Sequence, residues 1–308
     1  MFRFSKTFLK YRPYSTYRTF NNNHGQISNY KSFWNRHWKS ISVVSLGLTV
    51  FVSSHLERTP ISNRLRLMIV PKSLEEAIGE QGYREVLQQY RGNILPDNHE
   101  ITIRVKSVMN RLIKASGMDE QMDWRIHVVH DPNAPPNAFV LPSGKVFVFT
   151  SILPIAGGND GLATILSHEL SHVLLRHTAE SLGKEPFFII ANMILLYAFS
   201  IRLDTLTKLL LELPSSRNHE KEADYAGLMI LARACFSVNE AVSFWERMLQ
   251  YETTKQSGEV PEFLSTHPAT QHRITNMKEW IPQAEEEQRS VDCDEYRRFK
   301  SFKNFFEM

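Results

Sequence analysis

The run DGLATILSHELSHVLLRH, Asp160 to His177, dictates the architecture around it. Ile165, Leu166, Val173 and Leu174 recur at helical spacing. Inside the run stands His168-Glu169-Leu170-Ser171-His172, the pattern H-E-x-x-H. Residues i and i+4 lie one above the other on a helix face, so both imidazoles can reach one metal ion. Glu169 follows the first of them and can serve a water at that metal as general base. Two imidazoles and a carboxylate among Leu, Ile and Val would be costly with nothing to bind.

A catalytic zinc takes three protein ligands and leaves a fourth position open. The nearby third histidine of H-E-x-x-H-x-x-G-x-x-H is missing, because Leu175 and Thr178 stand where the Gly and the His would be. His177, five residues past His172, is expected on another face of the same helix. Downstream, SRNHEKEAD, Ser216 to Asp224, introduces a second helix that runs into Tyr225, Leu228, Ile230 and Leu231. Glu220 and Asp224 are i and i+4 and share a face. One can ligate the metal while the other orients a ligand imidazole.

Outward from these helices the pattern is α+β. Ser73 with Glu75 and Glu76 predicts a helix start, and Val86, Leu87 and Tyr90 carry that helix towards Gly92. Ile101, Ile103, Val105, Val108, Leu112 and Ile113 predict a second helix with a buried stripe. Trp124 to His130 is β-like. Asn137–Leu141 and Lys145–Thr150 are the arms of a hairpin around Pro142-Ser143-Gly144. Phe187 to Ile201, FFIIANMILLYAFSI, is too short to span a bilayer comfortably. It reads either as a core hairpin or as one dipping into a membrane beside the site.

Composition bounds the rest. With 308 residues, 42% apolar and 22% charged, a sizeable core is feasible. No apolar run reaches the length of a comfortable span, which excludes a polytopic membrane protein. The net charge of +3 hides an asymmetry: residues 1–56 hold eight Lys or Arg and no acid. The body, 57–308, is therefore mildly acidic, and a nucleic-acid groove is not expected. Residues 1–40 are basic, acid-free and rich in hydroxyls, the composition of a mitochondrial transit peptide; a basic tail is the plainer alternative. Residues 41–56, ISVVSLGLTVFVSSHL, then read as a short membrane anchor, with Trp34 and Trp38 at the interface. The basic side would stay in the matrix and the body, 57–308, would face the intermembrane space. In that compartment Cys235 and Cys293 can pair as a disulfide or remain two buried thiols. A bridge would hold the aromatic tail that follows, Tyr296 to Phe306, against the body.

H-E-x-x-H followed by S-R-x-x-E-x-E-A-D resembles the HtpX-type and prenyl-protein-processing family of membrane-associated zinc metallopeptidases. NAFVLPSGKVFVFT, Asn137 to Thr150, and Ser265-Thr266-His267-Pro268 are further matching pieces. DYAGLMILARACF and the basic N-terminus are most similar to mitochondrial inner-membrane members, in their fungal form. The resemblance covers about Pro71 to Phe306. It implies a mostly helical zincin-type domain and one zinc ion per subunit, held by His168, His172 and Glu220, with Glu169 as base. Glu222 then becomes an idle neighbour whose removal should be nearly silent, and Asp224 orients a ligand. His267 matches a histidine near the family's active site, where it can donate to the oxyanion; its plainer reading is a loop histidine before a proline. Arg217 can serve the same end or fix the helix start. Asn137, Ala138, Phe139 and Val140 match an edge strand that an extended substrate joins. The implied activity is endoproteolysis of inner-membrane proteins in quality control and stress response, at the lipid bilayer, by a chain that can form a homo-oligomer. The alternatives are a non-catalytic chaperone on the same scaffold and a prenyl-protein peptidase. The retained Glu169 argues against the first, and the lack of several long spans against the second.

Overall fold

The computed structural model describes residues 23–118, 121–184, 213–254, 267, 270–291 and 293. The apolar stretch 187–201 and the aromatic tail after Cys293 lie outside the described residues. The chain forms two units, Met1–Ser54 and His55–Met308. In the first, helix α1, Asn23–Ser54, joins the Trp34–Trp38 segment and the apolar run into one element. Its end at Ser54 falls short of the expected anchor boundary, because Leu56 already opens a strand. Trp34, Trp38, Val43, Val44, Leu46 and Leu48 are exposed on it. Among the described residues no helix is long and apolar enough to cross a membrane.

The second unit opens with a small antiparallel hairpin, β1 (Leu56–Arg58) and β2 (Leu65–Leu67), with Leu56 opposite Leu67. Helix α2, Lys72–Gln89, starts behind Pro71, not at Ser73. Proline is pre-set to extended backbone there, and Glu75 of the first turn is buried against Arg176 at 2.7 Å. Helix α3, Glu100–Ser116, is capped by the His99 ring, which accepts from the Ile101 N–H, and closed by Gly117 at φ 71. Val105, Val108, Leu112 and Ile113 are buried as the periodicity predicts, and Met109 is buried with them. Ile103 is exposed, because two residues from Val105 is the opposite side of the helix.

Strands β3 (Arg125–Val129), β4 (Ala138–Leu141) and β5 (Lys145–Phe149) form a sheet in the order β3-β5-β4. β5 is central and wholly buried, parallel to β3 and antiparallel to β4, with Ala138 opposite Val148. Gly144, at φ 79, makes the hairpin turn where a side chain would be strained. The expected edge strand is therefore at an edge, and it packs on the H-E-x-x-H helix.

After the short helix α4 (Leu153–Ala156), α5 spans Asn159–Leu174. It is buried all round from Gly161 to Ser171, so it is the central helix of the domain. Arg176, at φ 55, ends the run, and residues 177–184 form a separate helix, α6. His177 thus belongs to the helix after α5, contrary to the expectation of one continuous helix. Helices α7 (Leu213–Arg233), α8 (Asn239–Thr254) and α9 (Gln271–Ser290) complete the packing. Gly227 sets the spacing of α7 on α5: a Cβ there would lie 3.0 Å from the backbone N of His168. Cys235 and Cys293 are joined by a disulfide, with Cα atoms 5.6 Å apart. It ties the end of α7 to the segment after α9. Closing a loop of 58 residues contributes about 4 kcal/mol on chain-entropy grounds.

Candidate metal centre

Four side chains from three places in the chain converge: His168 and His172 on α5, Glu220 on α7, and His267 ahead of α9. Their donor atoms all lie within 4.8 Å of one another. His168 Nε2 is 3.2 Å from His172 Nε2 and 3.3 Å from Glu220 Oε2. Glu220 Oε1 is 3.4 Å from His172 Nε2 and 2.9 Å from His267 Nδ1. The spacing argument thus holds in space: one helix turn stacks both imidazoles, and α7 brings a carboxylate to them. His267 stands among the donors as a fourth.

The other ring nitrogen of His168 is 3.0 Å from Asp224 Oδ1. Donation from Nδ1–H to that carboxylate leaves the Nε2 lone pair aimed at the other donors. Asp224 is held in turn by Arg273, whose guanidinium grips both its oxygens and also reaches Glu220 Oε2 at 3.1 Å. Arg273 is buried, and its guanidinium lies 3.7 Å from the ring centroid of Trp245. Sequence reasoning missed it and chose Arg217, which is exposed on α7 with no hydrogen bond or ion pair among the described residues. Nor does Arg217 fix the helix start, since α7 is already helical from Leu213. The available signal was an arginine six residues past His267, one turn into a helix.

Glu169 is buried beside the donors, 3.6 Å from His267 Nε2, and its Oε1 accepts no hydrogen bond among the described residues. Burial pushes its pKa up, which brings a general base nearer to neutrality. Burial and the neighbouring His168 lower His172 well below an ordinary imidazole. Burial also opposes charge on His168, but its bonds to Asp224 and Glu220 outweigh that and raise it to about 9 in the metal-free protein, so a cation binding at Nε2 displaces the proton held there. Glu220 is held ionised against burial by His168, His267 and Arg273. A set of imidazoles and an ionised carboxylate, beside a buried carboxylate oxygen with no donor among the described residues, fits a bound metal ion.

Glu222 is not idle. It is buried, accepts from Ser62 and Arg64, and lies 3.2 Å from His177 Nε2. The expectation that its removal would be silent fails, because a buried network would lose its anion.

Peptidase family M48 matches residues 101–281, from the second residue of α3 into α9, and so covers every donor. Mitochondrial metalloendopeptidase OMA1 of Saccharomyces cerevisiae is 40% identical over 308 aligned residues, covering 95% of this chain and 89% of the yeast protein. The chain belongs to peptidase family M48. The Schizosaccharomyces pombe OMA1 protein is 41% identical over 261 residues, covering 82% of this chain and 75% of its own length. The Bos taurus OMA1 protein is 32% identical over 297 residues, covering 88% and 56%. An M48 chain with this identity to named metalloendopeptidases is itself a metalloendopeptidase, fungal-like in form. Nothing in these likenesses favours the non-catalytic alternative.

Proposed function

We propose that this M48 metalloendopeptidase is a zinc enzyme of the mitochondrial inner membrane, with its body in the intermembrane space. The observation that carries the zinc assignment is the convergence of His168, His172 and Glu220 beside a buried Glu169 oxygen that has no hydrogen-bond partner among the described residues. Two imidazoles and one carboxylate are the ligand types of a catalytic zinc site. Zinc held there would polarise a scissile carbonyl and lower the pKa of water.

Glu169 takes the proton of the attacking water and returns it to the leaving amine. His267, in this reading, donates to the developing oxyanion and does not remain a ligand. Asp224 and Arg273 keep His168 and Glu220 in their orientations. β4, from Ala138, is an edge strand among the described residues, on which an extended peptide can add through backbone hydrogen bonds. Such binding tolerates many sequences, as cleavage of misfolded proteins requires.

The relatives' names place them in mitochondria. The acid-free N-terminus supports the same address here, with residues 1–40 as the transit peptide. The exposed Trp and aliphatic side chains of α1 support attachment to the lipid bilayer, which would bring the site to inner-membrane protein substrates.

Purified full-length protein should carry about one zinc per chain and hydrolyse an unfolded test protein, while Glu169→Gln carries zinc without hydrolysis. Zinc-free preparations that remain fully active would overturn the reading.

A further inference from the structure

His172 presents Nε2 to the other donors and turns Nδ1 away from them, 3.0 Å from Nδ1 of His177. His177 in turn places Nε2 3.2 Å from Glu222 Oε2. Arg64 bonds both oxygens of Glu222, at 2.9 Å and 3.1 Å, and Ser62 donates to the same carboxylate. The other edge of the Arg64 fork holds Glu180 by two bonds of 2.8 Å. His177, Glu180 and Glu222 are all buried.

We propose that His177, Glu222 and Arg64 form a positioning chain that fixes His172 as a metal ligand. The inference rests on the zinc reading just given and extends it outward from the site.

With His177 neutral, the protons of the chain can be placed in one way. A carboxylate only accepts, so His177 must present Nε2–H to Glu222. A neutral His177 then has a lone pair at Nδ1, which accepts from Nδ1–H of His172. That tautomer of His172 has its lone pair at Nε2, towards the other donors. The reverse assignment sets the Nε2 lone pair of His177 against an anion and puts a proton on the nitrogen of His172 that must bind metal. Arg64 and Ser62 thus decide, through two rings, which nitrogen of His172 is free to ligate. A partner on the remote nitrogen of a ligand histidine usually changes metal affinity by about 10–100-fold.

The chain of contacts reaches beyond the segment that the family match covers. Ser62 and Arg64 lie in the turn and strand approach between β1 and β2, ahead of residue 101, where the family match begins. α7 carries both carboxylates: Glu220 turns to the donors, and Glu222, two residues on, turns to His177. His177 also stacks on His219, with ring centroids 4.3 Å apart, so its plane is fixed from the side.

The test measures zinc affinity of the purified full-length protein by competition with a chromophoric chelator, and thermal unfolding of the metal-free form. His177→Phe keeps the stacked ring but offers no acceptor, and should weaken zinc binding by about 10–100-fold. His177→Asn places an amide oxygen near the lost Nδ1 and should bind zinc within about threefold of wild type. Glu222→Ala should weaken binding and Glu222→Gln should recover part of it. Zinc binding by His177→Phe and Glu222→Ala equal to wild type would overturn the chain of contacts as a positioning device, even if both unfold earlier. So would His177→Asn binding as weakly as His177→Phe. If His177→Phe does not fold, Glu222→Ala against Glu222→Gln decides alone. His172→Ala is the control that separates the two readings: if it bound zinc as wild type does, the ligand assignment itself would fall, and the positioning chain with it.

Discussion

Arg273 grips Asp224 with two charge-assisted bonds, Nε to Oδ2 at 2.7 Å and Nη2 to Oδ1 at 2.6 Å. The same Oδ1 stands 3.0 Å from Nδ1 of His168. Asp224→Ala should therefore weaken zinc binding by about 10–100-fold. Arg273→Lys keeps a charge but loses the planar fork, and Arg273→Ala strands a buried carboxylate. Both should lose zinc affinity, alanine more than lysine. Equilibrium dialysis against buffered zinc gives the order, and equal affinity for all three variants and wild type would refute the arrangement.

On the proposed assignment, substitutions of the ligands and of the base have separable effects. Glu169→Gln should retain zinc and lose nearly all hydrolysis, because an amide cannot take the proton of water. His168→Ala, His172→Ala and Glu220→Ala should each lose both, since too few protein donors remain. Metal analysis beside a peptide-cleavage assay reads both properties on the same sample. A zinc-replete Glu220→Ala would move the third ligand elsewhere.

His267 stands 2.9 Å from Glu220 and 3.6 Å from Glu169, between the roles of ligand and oxyanion donor. If it acts on the oxyanion, His267→Ala keeps zinc and slows turnover by about 10²–10³-fold. The loss should appear in kcat at saturating substrate. Zinc lost together with activity would make His267 a ligand instead.

What could be read from the sequence followed the range of each contact. The imidazoles of His168 and His172 were legible because their neighbourhood is one helix turn. Glu220 with Asp224 was legible for the same reason, and the sheet edge because its hairpin is local. Arg273 was not, because its partner Asp224 is 49 residues away and a lone arginine has no spacing signature. Glu222 was misread because its anchor, Arg64, is 158 residues distant. Ser73 lost the cap of α2 to Pro71, a backbone preference outweighing a side-chain one.

Glu180 predicts an acid-sensitive fold. Burial alone would raise its pKa, but His219, Arg64 and Lys184 hold it far below its ordinary 4.5. A depressed folded-state pKa adds stability above the unfolded value, and that stability is lost as pH falls below it. The metal-free protein should thus lose thermal stability steadily below about pH 4.5. Glu180→Gln should unfold earlier near neutrality but show a shallower acid limb. Thermal melts of both proteins across that range measure the difference, and parallel curves would exclude Glu180 as a source.

Gly227 links the helix packing to the site. A β-carbon there would sit 3.0 Å from His168 N and 3.1 Å from His168 Cα, both backbone atoms that α5 cannot readily move. Gly227→Ala should raise the helix propensity of α7, which alone would stabilise by up to about 1 kcal/mol. Against this, the methyl must push α7 off α5 at the ligand histidine, and overpacking of a dense core typically costs about 1–3 kcal/mol. The second effect should win, because the contact is with backbone and α5 is buried on every side. The displacement also carries Glu220 and Asp224 away from His168, so zinc affinity should fall along with the melting temperature. A stability loss with unchanged zinc binding would show that the helices part elsewhere, and a gain in both would show that the packing at His168 has room to spare.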